Sequence, residues 1–126
     1  MVQLCLHDQK NVLLFKDTMK SLSESEGMEY GDNSAATEKE LIATKLKQSY
    51  PFINIAGTRA DGVGWGAGNL GLSAYEVAVG FSDGSNPAEA HRFAGMVIGK
   101  LKERWHVYYV PPGQGAFPLK HCTSKK

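Results

Sequence analysis

The chain is short of almost every feature that would announce a function. It has only two cysteines, Cys5 and Cys122, near opposite ends of 126 residues. That is too few for a disulfide framework or a cysteine-rich zinc site. The first ten residues, MVQLCLHDQK, have neither the basic start nor the apolar run of a secretion leader. Chain ends often lie close together, so a disulfide between them is sterically conceivable, but without such a leader the expectation is two reduced thiols in a cytoplasmic protein. An excess of charge is missing too. Fourteen Lys and Arg against thirteen Asp and Glu leave a formal net charge of +1. The lysines are scattered, so there is no basic footprint for nucleic acid. No apolar run approaches the roughly 20 residues that cross a bilayer, which excludes a membrane span. Cys5 with His7 and His121 with Cys122 follow no usual zinc spacing, and neither a metal nor a cofactor is expected.

Ordinary apolar content, 42% by residue, is enough to bury a core without staples. One domain over residues 1–126 is the expectation. Its clearest part is residues 74–110. Tyr75, Val77, Val79 and Phe81 alternate with small or polar residues, the pattern of a strand over 74–82 with one heavy face. Asn86, Pro87 and Glu89 then form an N-cap, a first-turn proline and a capping-box partner. Ala90, Phe93, Ala94, Val97, Ile98 and Leu101 recur at helical spacing, which predicts a helix over 87–104. His106–Val110 reads as a second strand, stopped by Pro111-Pro112-Gly113. Short links at both helix ends make this a βαβ crossover with parallel strands.

Upstream, Asp8 caps a predicted helix over 9–26 with Val12, Phe15, Met19 and Leu22 on one stripe. A strand pair of Val2–Leu6 with Val12–Phe15 is the lesser alternative. Residues 28–36 read as a loop. Thr37 and Glu40 open a second helix over 38–48, with Leu41, Ile42 and Leu46 inward, ended by Tyr50-Pro51. Residues 52–56 read as a strand. Residues 57–73 hold six of the fourteen glycines and read as a glycine-rich loop, with a hairpin turning at Asp61-Gly62 as the alternative. Residues 111–126 read as an irregular tail from which Phe117 and Leu119 dock on the core. The predicted fold is α+β with an α/β-like core. It has a mixed sheet of three to four strands, the crossover, and two N-terminal helices packed on the sheet.

Short motifs do not settle a chemistry. Gly80-Phe81-Ser82-Asp83-Gly84 matches a nucleophile elbow between strand and helix, but the helix starts four to five residues after Ser82. A small hydrolase using Ser82 with His91 or His106 is therefore the alternative reading. Gly66-Ala67-Gly68-Asn69-Leu70-Gly71 matches a dinucleotide fingerprint but precedes a strand instead of a helix. The leading reading is a small binding or interaction domain for a small molecule or a protein partner, not an enzyme. Its expected ligand residues are Ser82, Asp83, Asn86, His91, Tyr109 and Gln114, gathered at the carboxyl ends of two parallel strands. Its expected interaction residues are Arg59, Trp65 and Asn69 in the glycine-rich loop. Gly95 and Gly99 join them from the outer face of the helix, where close approach would suit a homodimer.

Overall fold

Alternating stretches scattered from residue 2 to residue 109 find one another across the chain in a single six-stranded sheet. The computed structural model describes residues 1–43, 52–69, 72, 75–111, 113–116, 118–119 and 122. The elements are β1 (Val2–Cys5), α1 (Gln9–Ser25), β2 (Glu29–Asp32), α2 (Ser34–Ala43), β3 (Asn54–Thr58), β4 (Val63–Gly68), β5 (Glu76–Asp83), α3 (Pro87–Lys102) and β6 (Val107–Tyr109). The strands lie in the order β2-β3-β4-β5-β1-β6, and every neighbouring pair is antiparallel.

The α+β class stands, while the predicted sheet needs correction. There are six strands, not three to four, and the sheet is antiparallel, not mixed. β5 and β6 do run parallel to each other through α3, but β1 lies between them and pairs with both. The strand pair of Val2–Leu6 with Val12–Phe15 does not form, because Val12 and Phe15 belong to α1. β2 occupies residues read as loop, and the stretch read as a glycine-rich loop is the β3–β4 hairpin. That hairpin turns through Gly62 at φ 85, a conformation that favours glycine.

Helix boundaries follow their caps. Asp8 Oδ1 accepts the Asn11 amide at 2.8 Å at the start of α1, and Asn86 Oδ1 accepts the Glu89 amide at 3.4 Å at the start of α3. α2 begins at Ser34, ahead of Thr37, whose hydroxyl is occupied by the Asn54 side chain at 2.7 Å. Ile42, expected inward, is exposed; Leu46 lies outside the described residues. His7, at φ 75, makes the sharp change from β1 into α1, and the Asp8 amide reaches back to the Leu6 carbonyl at 2.9 Å to close the turn.

One face of the sheet carries the core. Val2, Leu4, Ile55, Val63, Trp65, Ala67, Val77, Val79 and Val107 meet Val12, Phe15 and Met19 of α1 and Ala90, Phe93, Val97 and Leu101 of α3. α1 lies over β2 and β3, and α3 over β4, β5 and β6. Edge-on ring contacts of Phe15 with Trp105 and Phe81 with Phe93 tie the helices into this layer. Period-two alternation then sends the intervening residues to the reverse face.

Candidate interaction surface

The β3–β4 turn and the β5–α3 turn meet at one end of the sheet. They do so because β3 and β5, each antiparallel to β4, run in the same direction. Asp61 O accepts the Ser85 amide at 2.9 Å, and Ser82 Oγ donates to Gly62 O at 3.0 Å. Around this junction two guanidiniums and three carboxylates interlock. Arg59 reaches Asp61 at 2.9 Å, Glu89 at 3.1 Å and Glu26 at 3.5 Å, and Arg92 reaches Glu89 at 2.9 Å and also Glu26. Hydrogen bonds from Arg92 and then Arg59 hold the Glu89 carboxyl down at about 2. The same contact with Arg59 lowers Asp61. With every charge partnered, the cluster joins α1, α3 and the hairpin and leaves no guanidinium in it free for a ligand.

Ser82, Asp83 and Asn86 therefore come together, but the Ser82 hydroxyl, the Asn86 side-chain oxygen and the Asp83 carbonyl are engaged in the turn and the helix cap, while the Asp83 side chain is exposed. His91 is exposed on α3, and His106 lies beyond its other end, its ring 4.3 Å from that of Tyr108. Among the described residues no hydrogen bond joins Ser82 to a histidine. Tyr109 stands level with Val79 but across β1, with the Lys102 ammonium 5.1 Å from its ring centre. Gln114 is exposed beyond it, its amide donating to Pro111 O.

The loop residues turn out to be structural. Trp65, expected as an interaction residue, is 4% exposed, and its indole N–H donates to Ser23 Oγ at 2.7 Å. In a strand its side chain points into the helix layer. Asn69 is buried, and its Oδ1 accepts the Ile53 amide at 2.9 Å, extending the hairpin ladder. Gly95 and Gly99 are exposed on α3, with open space where a side chain would stand.

The hairpin alternative at Asp61-Gly62 is the one that forms, and it gives the sheet a reverse face that the loop reading of these glycines does not contain. Across β2, β3, β4 and β5 the register aligns Gly31, Ala56, Gly66 and Gly80 in one row. A flanking row is Glu29, Thr58, Gly64 and Ser82; the other is Asn54, Gly68 and Ala78, continuing to Gln3 and Tyr108. Neither basic nor large aliphatic side chains occur in these rows. Gly64 and Gly68 are required locally, since a side chain at either would strike neighbouring backbone: the carbonyl of Gly57 in β3 for one, of Ile53 just before β3 for the other. Gly66 and Gly80 are different: a Cβ there would meet nothing within 4 Å. A shallow depression of about 310 Å³ lies beside them at Gly31, Ala56 and Thr58. The available signal was the glycine at positions 64, 66 and 68, alternating with Val63, Trp65 and Ala67.

The β1 side of this face is covered. Cys5 and Cys122 are joined in a disulfide, with Cα atoms 5.8 Å apart, which corrects the expectation of two reduced thiols. Local sequence does not set how near residues 5 and 122 lie in the fold, 117 positions apart. Leu119 and Tyr108 complete a small cluster with the disulfide, separate from the main core; Phe117 lies outside the described residues. Beneath it Glu76 is fully buried and accepts the Leu119 amide at 2.6 Å and the Gln3 side chain at 3.5 Å. Among the described residues no group of three or more His, Cys, Asp or Glu side chains is placed to hold a metal ion, and no helix is long and apolar enough to cross a membrane. Comparison with protein-family models, with curated proteins and with solved structures finds no match to this chain.

Proposed function

We propose that this chain is a protein-interaction domain, and that its contact surface is the bare reverse face of β2–β5. The observation that carries this reading is the pair Gly66 and Gly80. Glycine inside a strand costs roughly 0.5–1 kcal/mol relative to alanine, and among the described residues these two register partners have no neighbour that requires it. In a sheet, such glycines mark places where a ligand or another backbone comes close.

Size and charge narrow the occupant. Four strands and five residues span roughly 19 Å by 16 Å, about 300 Å². A standard interface buries about 800 Å² on each partner, so a globular second copy is poorly matched. Three turns of helix, roughly 16 Å long and 10 Å wide, match the face well. Small side chains let such a helix sit close, and the lack of Lys or Arg in the rows disfavours a nucleic-acid backbone. The fitting occupant is an amphipathic helix of another protein, apolar on the side that meets Gly66 and Gly80.

The test is peptide display on the immobilised protein, followed by affinity measurement with Gly66→Arg. The reading expects peptides with apolar residues at helical spacing, at least tenfold weaker on the variant, whose melting temperature should not fall. Peptides that bind both proteins equally would refute it. So would a dimer at micromolar concentration that Gly66→Arg dissociates, since the face would then be filled by a second copy.

A further inference from the structure

The bare face does not end at β5. Its third row runs on through Ala78 to Gln3 of β1 and Tyr108 of β6, and there the anchor formed by Leu119 and Cys122 covers it. We infer that the Cys5–Cys122 disulfide is a site of thiol–disulfide exchange whose reduction lifts this anchor and widens the contact face. The proposal rests on the reading of that face as an interaction surface.

Three observations support it. Among the described residues the anchor's apolar contacts form a cluster of Cys5, Leu119, Cys122 and Tyr108, outside the core that joins the sheet to α1 and α3. Its loss therefore leaves the main core intact. Small peripheral clusters open locally at little cost, which brings the buried sulfurs within reach of a reductant. The Leu119 amide also donates to Glu76, which is fully buried beneath the covalently fastened cover. Finally, His7 Nδ1 lies 3.6 Å from Cys5 Sγ. An imidazole beside a sulfur favours its departure as thiolate.

The exchange balances with a dithiol reductant. One thiolate of the dithiol attacks Cys122 Sγ, the S–S bond breaks, and its electron pair leaves on Cys5 Sγ beside His7. The second thiol of the dithiol then displaces Cys122 Sγ from the mixed disulfide. The protein gains two electrons and two protons, and the dithiol becomes a disulfide. Release bares Gln3 and Glu76 next to Ala78. The helix bound on β2–β5 can then extend over β1, and a Lys or Arg in that extension meets the Glu76 carboxylate.

The test uses the whole chain, oxidised and then treated with dithiothreitol, and follows amide hydrogen exchange by mass spectrometry and NMR. Expected are a gain of two mass units, a melt that stays cooperative but falls by roughly 10 °C, and Leu119 amide exchange at least 100-fold faster. Exchange in α1 and β4 should remain slow. A Leu119 amide that stays protected after reduction overturns the proposal, as does complete loss of the cooperative melt. Cys122→Ser, which keeps Cys5 and His7, should reproduce the released state without reductant; a protected Leu119 amide in that variant also overturns it. For coupling to binding, a display-selected helical peptide extended by a lysine should bind about tenfold tighter after reduction, and Glu76→Gln should remove the gain. Equal affinity before and after reduction refutes the widening while leaving the β2–β5 surface standing. Insensitivity to Gly66→Arg refutes that surface, whatever the disulfide does.

Discussion

Two glycines paired with neighbouring strands should respond to the same substitution with opposite signs. Gly57 of β3 faces the helix layer, and a Cβ there would come 2.6 Å from Trp65 Nε1 and 2.8 Å from Ser23 Oγ. Both atoms are already committed to one buried hydrogen bond of 2.7 Å. Gly57→Ala must push the indole off Ser23. The expected cost is about 1–3 kcal/mol for overpacking, and a further ~1–3 kcal/mol if the indole N–H is left unpaired. Gly66, one register step away on β4, has open space in place of those atoms. Gly66→Ala should stabilise by about 0.5–1 kcal/mol, the backbone entropy that glycine forfeits. At this chain length about 1 kcal/mol moves the melting temperature by roughly 4 °C. The two variants should therefore fall on either side of the parent by a separation of roughly 6 °C or more. Urea titration followed by tryptophan fluorescence reads both, and the Gly57 variant should also show an altered native spectrum. A Gly57→Ala protein as stable as the parent would refute the packing described around Trp65. A Gly66→Ala protein weakened by 1 kcal/mol or more would mean that the fold itself requires this glycine, and the argument for a contact surface would lose its main support.

Further outcomes follow from the same geometry. Ser23→Ala leaves the Trp65 indole N–H buried without a partner and should cost about 1–3 kcal/mol, while Ser23→Thr, which keeps the hydroxyl, should recover part of it; denaturant midpoints decide. Glu89 is depressed to about 2 by Arg92 and Arg59, so its contribution is present above its ordinary value near 4.5 and is lost as pH falls through 2. Thermal stability of the parent should drop across pH 4.5 to 2, less steeply in Glu89→Gln, and added salt should shrink the difference because Glu89 is partly exposed. Identical acid limbs would rule out this carboxylate as a contributor.

Much of the fold was legible where the signal is local. Asp8 and Asn86 cap the helices they were expected to cap, and the apolar stripe of α3 is the stripe that is buried. The end-of-sheet gathering of Ser82, Asp83 and Asn86 was legible too, because it depends on one strand, one turn and one helix. What failed was long-range. Val2–Cys5 is four residues long, too short to carry a period, and becomes a strand only because β5 and β6 offer edges on both sides. Glu29–Asp32 is a strand because β3 lies beside it.

The glycines between 57 and 73 show the division most clearly. By itself the sequence determined α1 and α3, the alternation of β5 and an α+β domain, since capping and periodicity act between residues within a few positions of each other. It also placed glycine at every second residue from 64 to 68, whichever way that stretch folded. Only the tertiary structure decided that Val63, Trp65 and Ala67 turn inward to meet Ser23 and the helix layer, and that the glycines consequently line the opposite face. Tertiary structure likewise brought Cys5 to Cys122 across 117 positions and set Glu76 beneath them. The physical reason is the same in each case. A strand's facing and a distant contact are fixed by what packs against them, and that partner is supplied by the folded chain, not by neighbours in sequence.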